Sequence, residues 1–308
     1  MRLIFLYDSH IRVYGPVPPY EFFAHCLPFS NPVSTVKTLT TTDYRFMDLG
    51  QPRRIWAISA IHGEIERLIA LHDDIYPHIR PGDRLIYLGN YVGFGHHAVE
   101  VVDELLTFRR SVLSKQGMMA KDIIYLRGAQ EEMLQKLLQL QFAPDPGSIL
   151  MWMLGNGLMS TLYSYGVSPH DGIECCRQGV LGLARWTGSV REAVRKRPGH
   201  EIFNTRLHRA AHTSRYLETP VLFVNCGLRS DRPMEEQGDS FWWANREFEE
   251  IERPYSPFSK VIRGYDPDHK GINMNCVTAT IDGGCGFGGA LVCSVFDGAG
   301  QSLDTAQF

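Results

Sequence analysis

Side chains able to do chemistry recur in this chain at one kind of place, directly after a short apolar run. His62 follows the run from Ile55 to Ile61, and Asn90 follows Leu85–Leu88 and Gly89. Arg127 follows Ile123–Leu126, Asn225 follows Pro220–Val224, and Arg263 and Tyr265 close the run that starts at Lys260. An imidazole can ligate a metal or carry a proton, amides and a phenol exchange hydrogen bonds, and guanidinium groups grip oxyanions two-handed. No carboxylate stands at these positions. Two other pairs have metal-ligand spacing: Asp8-Ser-His10, and His208 with His212 four residues on. The first reads as a polar turn after an edge strand. The second lacks the adjacent glutamate of a zincin helix and reads as the solvated face of a helix.

The elements that must position these residues follow from the apolar pattern. The run at Leu85–Leu88, bounded by Gly82-Asp83 and Gly89, predicts a short buried strand. A Gly-rich loop follows, then a helical pattern through Val99, Val101, Val102, Leu105 and Leu106. The same strand, loop and helix order repeats at Ile55–Ile61 with Ile65, Leu68, Ile69 and Leu71, and at Ile123–Leu126 with Leu134, Leu137, Leu138 and Leu140. This predicts an α/β fold with chemistry beyond the carboxyl ends of its strands. Residues from about 140 to 215 read as helix-rich. Val277–Ile281 and Ala290–Val295, joined by a turn rich in glycine, read as a closing antiparallel hairpin. Before residue 52 a strand at Leu3–Tyr7 precedes Pro16, Pro18, Pro19, Pro28 and Pro32, which predict an irregular N-terminal extension packed on the core.

Composition limits the function classes. The chain has 308 residues, 44% hydrophobic and 21% charged, with a net charge of −3, so nothing electrostatic favours a nucleic-acid or membrane partner. Seven cysteines fall in no CxxC spacing and are expected as reduced thiols. The N-terminus has no signal-peptide pattern, and no apolar run approaches the roughly 20 residues of a membrane helix. The expectation is a cytoplasmic protein of bacterial type.

Taken in order, the strand-end stretches resemble the motifs of the calcineurin-like metallophosphoesterases, of the phosphoprotein phosphatase type that includes Ser/Thr protein phosphatases and bacterial diadenosine tetraphosphatases. Ser59-Ala-Ile-His-Gly63 is similar to that family's Gly-Asp-x-His-Gly. Gly89-Asn-Tyr-Val-Gly-Phe-Gly95 is similar to Gly-Asp-x-x-Asp-Arg-Gly, and Arg127-Gly-Ala-Gln-Glu131 to Arg-Gly-Asn-His-Glu. Asn225-Cys-Gly-Leu-Arg229 matches His-Ala-Gly-Leu-Arg, and Arg263-Gly-Tyr265 matches Arg-Gly-His. Ser240-Phe-Trp-Trp243 and Arg246-Glu-Phe248 resemble the flanking Leu-Trp and Arg-x-Glu-Phe element. The resemblance spans residues 52 to 298. It implies an αββα sandwich of two mixed sheets flanked by helices, residues 53–308, with a helical cap inserted at about 140–215.

The resemblance also implies a two-metal site, in which bridging hydroxide attacks phosphorus and carboxylates offset the repulsion between two close dications. Position by position, those groups are gone. The first aspartate is Ala60, the bridging aspartate is Asn90, and the asparagine ligand is Ala129. The later histidines are Asn225 and Tyr265, the proton-donating histidine is Gln130, and the phosphate-gripping arginine of the loop is Phe94. Of the implied protein ligands only His62 remains, and one neutral imidazole falls short of the three or four groups a catalytic metal needs. Catalytic residues and a metal are therefore not expected. His62, Asn90, Asn225, Tyr265, Arg127, Arg229 and Arg263 remain as candidates for binding a ligand, although Arg263 could equally fill the vacated metal volume, paired with Asp266 or Asp268. The reading is a pseudophosphatase that binds a protein, a phosphopeptide or a nucleotide. Two rivals stand beside it. One is an active phosphoesterase holding Mn, Fe or Zn through relocated ligands (Asp8, His10, His96, His97, His208 or His212). The other is a structural subunit of an assembly.

Overall fold

A computed structural model of the chain describes residues 45–308. The strand expected at Leu3–Tyr7, the proline-rich stretch and the Asp8/His10 pair lie outside the described residues. The described chain begins with β1 (Phe46–Asp48) and β2 (Arg54–Ile58), then α1 (Ile65–Ile75), β3 (Asp83–Tyr87) and α2 (Ala98–Leu113). After β4 (Ile123–Tyr125) and α3 (Ala129–Leu137) come the cap helices α4 (Pro146–Met153), α5 (Met159–Ser164), α6 (Pro169–Arg177), α7 (Val180–Arg195) and α8 (His200–Thr205). Then follow β5 (Ala210–His212), β6 (Val221–Val224), α9 (Ser240–Trp243), α10 (Asn245–Glu249) and β7 (Lys260–Arg263). The chain continues through β8 (Asn273–Met274), β9 (Thr278–Thr280), β10 (Val292–Phe296) and β11 (Ser302–Gln307).

These strands form a five-stranded sheet in the order β11-β10-β2-β3-β4 and a six-stranded sheet in the order β1-β5-β6-β7-β9-β8. In β2 the side chains of Ile55 and Ala57 enter a layer shared between the sheets, with Ile86, Ile124, Phe223, Ile262 and Phe296. Their neighbours Trp56 and Ile58 face the other way, onto Leu68, Leu71, Leu105 and Phe108 of α1 and α2. A strand covered on both faces has no position for a polar residue, which is why these runs read as continuously apolar. The outer face of the larger sheet packs Leu222, Val224 and Val261 against Phe241, Trp242 and Phe248. The layers are thus helix, sheet, sheet, helix, as expected. The cap helices have their own core around Met153, Leu158, Leu162, Leu183 and Trp186.

Two expectations need correction. Val277–Ile281 and Ala290–Val295 are not a hairpin: β9 belongs to the larger sheet and β10 to the smaller one, and only isolated bridges at Gly283, Gly284 and Ala290 join them. Strand partners are chosen by burial between the sheets, which the glycine-rich turn between these runs does not encode. The His208–His212 stretch is not helical either. Ala210–His212 is a strand, parallel to β1 and antiparallel to β6, and His212 is buried with its Nδ1 2.8 Å from the Thr213 carbonyl. Long-range pairing overrides the i, i+4 pattern, and the cap's helices end at Thr205. Within the N-terminal stretch, β1 adds an edge strand to the larger sheet beside β5, and Leu49 is buried in the layer between the sheets. The polar edge strand β11 was missed because it is mostly exposed. No helix among the described residues is long and apolar enough to cross a membrane.

Candidate functional site

The loops after β2, β3, β4, β6 and β7 meet at one edge of the sandwich and are knitted together by their main chains. The Asn90 carbonyl accepts from Ile61 N at 3.0 Å and His62 N at 2.8 Å. The Asn225 carbonyl accepts from Gly264 N and Tyr265 N at 3.1 and 3.0 Å. Ala60 N donates to Gly264 O at 2.9 Å, and Asn225 Nδ2 to Leu88 O at 2.7 Å, so both bonds cross between the sheets. His62 and Asn90 both adopt the left-handed region, with φ of 51° and 56°, a cost that non-glycine residues bear where the surroundings fix them. The fold therefore brings Ala60, His62, Asn90, Ala129, Gln130, Asn225 and Tyr265 to one edge.

Glu131, overlooked as a site residue, organises this edge. Its carboxylate accepts from Asn90 N (2.9 Å), Tyr91 N (2.8 Å), Val92 N (3.3 Å) and Gly128 N (2.9 Å). Burial pushes its carboxyl up from the ordinary value, and the four N–H donors act in the opposite direction.

His62 sits among rings. Phe94, Tyr265 and Phe287 meet its imidazole edge to face at centroid distances of 5.5, 5.2 and 5.3 Å, and Phe287 also packs on Phe94 at 4.5 Å. The ring is fully buried, and neither nitrogen has a partner with hydrogen-bond geometry. Desolvation lowers its pKa from 6.5 to about 4, only partly offset by the Asp282 carboxylate and the Val92 backbone, while His269 pushes it down further. Two glycines permit the arrangement: a Cβ at Gly286 would stand 2.4 Å from His62 Cβ, and one at Gly93 would stand 2.9 Å from His62 Nδ1 and 2.8 Å from Gln130 Cδ. Both have positive φ.

Asp282, Phe287 and His269 escaped the sequence reading. Asp282 is buried beyond β9, accepts from Asp266 N and Gly284 N at 2.9 Å each, and faces His269 Nδ1 at 3.2 Å. Its place directly after a strand was the available signal. The arginines are engaged elsewhere. Arg127 pairs with Glu132 at 3.0 Å and with Gln135, Arg229 pairs with Asp231 at 2.8 Å, and Arg263 is buried against Asp266 at 3.3 Å. Asp266 was one of the two partners expected for Arg263. His96 and His97 are exposed.

The cap closes this edge through a kink. At Leu154–Leu158 the helix widens to a π turn with Gly157 at φ 104°. There the Asn156 carbonyl accepts from Gln130 Nε2 at 2.9 Å, and Ser160 Oγ donates to Phe94 O at 3.0 Å.

A layered sandwich of two mixed sheets with strand-end loops at one edge and a helical cap is the metallophosphoesterase fold. A candidate diadenosine tetraphosphatase of known crystal structure is similar to this chain at 17% identity over 85% of this chain and 97% of its own, with a TM-score of 0.51. Lower scores come from a Ser/Thr phosphatase of Saccharomyces cerevisiae with similarity to human phosphatase PP5 (12% identity, 85% and 84% covered, TM-score 0.45) and a metallophosphoesterase from Sphaerobacter thermophilus (12%, 83% and 88%, 0.39). No protein-family model and no curated protein sequence matches the chain.

The fold implies a metal pair, and the residues present do not fit one. His62 is walled by rings, Asn90 Oδ1 already accepts from Gln130 N at 3.2 Å, and both Asp282 oxygens hold main-chain N–H groups. Among the described residues, the acidic or imidazole group close enough to hold an ion is Glu249, Asp266 and Asp268. It includes none of the strand-end positions, and Lys270 and Arg263 already neutralise it.

The depressed His62 pKa carries a pH dependence. The unfolded imidazole takes its proton near 6.5 and the folded one only near 4, so the folded state loses stability as pH falls through that window. The share due to His62 is about 3 kcal/mol across the whole window. Burial depresses His72, His200 and His212 in the same direction. Urea unfolding at pH 7 and pH 5 should show a steeper loss for the natural chain than for His62→Asn, a residue that tolerates the left-handed backbone. Equal losses would contradict the assignment.

Proposed function

We propose that this chain is a pseudophosphatase: a metallophosphoesterase fold that works by binding and not by two-metal hydrolysis. The observation that supports this reading is His62, the one ligand-type residue left at the positions that resemble the metal motifs, which is neutral, fully buried and ringed by Phe94, Tyr265 and Phe287. Gln130, at the proton donor's position, cannot transfer a proton near neutral pH. The rival reading with relocated ligands gains nothing from His96, His97, His208 or His212, which belong to no metal-holding group among the described residues. The paired state of Arg127, Arg229 and Arg263 argues against a phosphate grip as the basis of binding.

The test is direct. The full chain, purified after growth with added Mn, Fe and Zn, is expected to carry far less than one metal per molecule by elemental analysis. It is also expected to leave p-nitrophenyl phosphate and diadenosine tetraphosphate intact. Near-stoichiometric metal, or hydrolysis abolished by His62→Ala, would overturn the proposal.

A further inference from the structure

A cavity of about 340 Å³ lies where the last turn of α1 faces the smaller sheet, lined by Arg54 at the start of β2 and by none of the strand-end residues. Strand register builds its floor. Trp56 of β2, Val295 of β10 and Asp304 of β11 are successive cross-strand neighbours, and Cys293 and Ala306 are neighbours one step along the same face. Asp74 and Ile75, at the end of α1, form the opposite wall. Cys293 is 2% exposed, and its thiol has no hydrogen-bond partner among the described residues. Burial pushes this thiol up, and the carboxylates of Asp74 and Asp304 push it up further, so both direct their field into the same space.

The chemistry of an occupant follows from these walls. Neither carboxylate has an ion-pair partner among the described residues, and Asp304 holds only Thr305 N, at 2.8 Å. Asp74 also stands in the last turn of α1, where the helix dipole adds negative potential. Arg54 is already bound to the Asp83 carboxylate and the His78 carbonyl, at 2.9 Å each. An anion would therefore meet two carboxylates and an occupied guanidinium, whereas an N–H donor carrying positive charge is what a carboxylate accepts best. Trp56, Val295 and Ala306 give an apolar floor for the rest of the molecule. The volume is near the lower end of the roughly 300–1,000 Å³ of ligand sites, which suits a single ring or a short chain. We propose that this cavity binds a small organic ammonium ion, with its apolar body on Trp56 and Val295 and its charge at the rim formed by Asp74 and Asp304. The cavity is separate from the strand-end loops, so the inference stands whether or not the chain hydrolyses phosphate esters.

Three ligands of one shape make the test specific. The full chain is titrated calorimetrically at low ionic strength with phenethylamine, 2-phenylethanol and phenylacetate, which share a ring and a two-carbon arm and carry positive, no and negative charge. Phenethylamine is expected to bind about tenfold more tightly than 2-phenylethanol, the combined effect of two partly exposed ion pairs, and phenylacetate is expected not to bind. Asp74→Asn and Asp304→Asn, changes at exposed positions, should each weaken phenethylamine about threefold without altering 2-phenylethanol. Ala306→Phe should fill the cavity and abolish binding, and if that variant fails to fold the aspartate variants still decide. Absence of phenethylamine binding at millimolar concentration, equal affinity for the uncharged alcohol, preference for phenylacetate, or aspartate variants that change nothing would each overturn the proposal.

Discussion

Glu131→Ala is expected to cost the folded state about 4 kcal/mol, measured by urea unfolding at neutral pH. The carboxylate is the acceptor for four main-chain N–H groups, three of them in the loop after β3 and one at Gly128 ahead of α3. Truncation leaves these donors buried, and an orphaned buried N–H costs about 1–3 kcal/mol, with entering water recovering part of the total. Against a typical stability of about 5–15 kcal/mol this is a large fraction. Glu131→Gln keeps one acceptor oxygen but turns an N–H₂ toward other N–H groups, so it should recover only part of the loss. A change below about 1 kcal/mol for the alanine variant would show that the loop does not depend on Glu131.

Arg263→Ala is expected to cost about 3–5 kcal/mol, the penalty for leaving a buried charge without its partner. The guanidinium reaches Thr280 Oγ1 at 2.8 Å, Asn245 Oδ1 at 2.5 Å and the Asp266 carboxylate at 3.3 Å, and its Cζ lies 4.3 Å from the Phe248 ring centroid. Arg263 and Asp266 are 3% and 1% exposed, so neither charge is rescued by solvent. Arg263→Lys should restore little, because a point charge cannot span these directions. The double variant Arg263→Ala with Asp266→Asn should be less destabilised than the sum of the two single changes, since it removes both halves of the pair. Additive losses would instead assign the cost to packing on Phe248.

The absence of carboxylates from the strand-end positions that resemble the metal motifs was legible from residue types alone. Whether a position is Asp, Asn or Ala does not depend on what lies opposite it. The strands β2, β3, β4, β6 and β7 were legible too, because burial on both faces demands unbroken apolar runs. So was their order with the helices, which places His62, Asn90, Gln130 and Asn225 at one edge. Other features depended on contacts between residues far apart in the chain. The partners of β5 and β9, and so the fate of the expected histidine helix and hairpin, follow from pairing across the sandwich. Whether Arg127, Arg229 and Arg263 grip a ligand or the protein itself depended on where Glu132, Asp231 and Asp266 come to rest. The ring cluster around His62 draws on Phe94, Tyr265 and Phe287, from three separate loops. Residue type decided which groups stand at the strand ends, and tertiary packing decided what each of them faces, because the free energy of a buried polar or charged group depends on its neighbours in space.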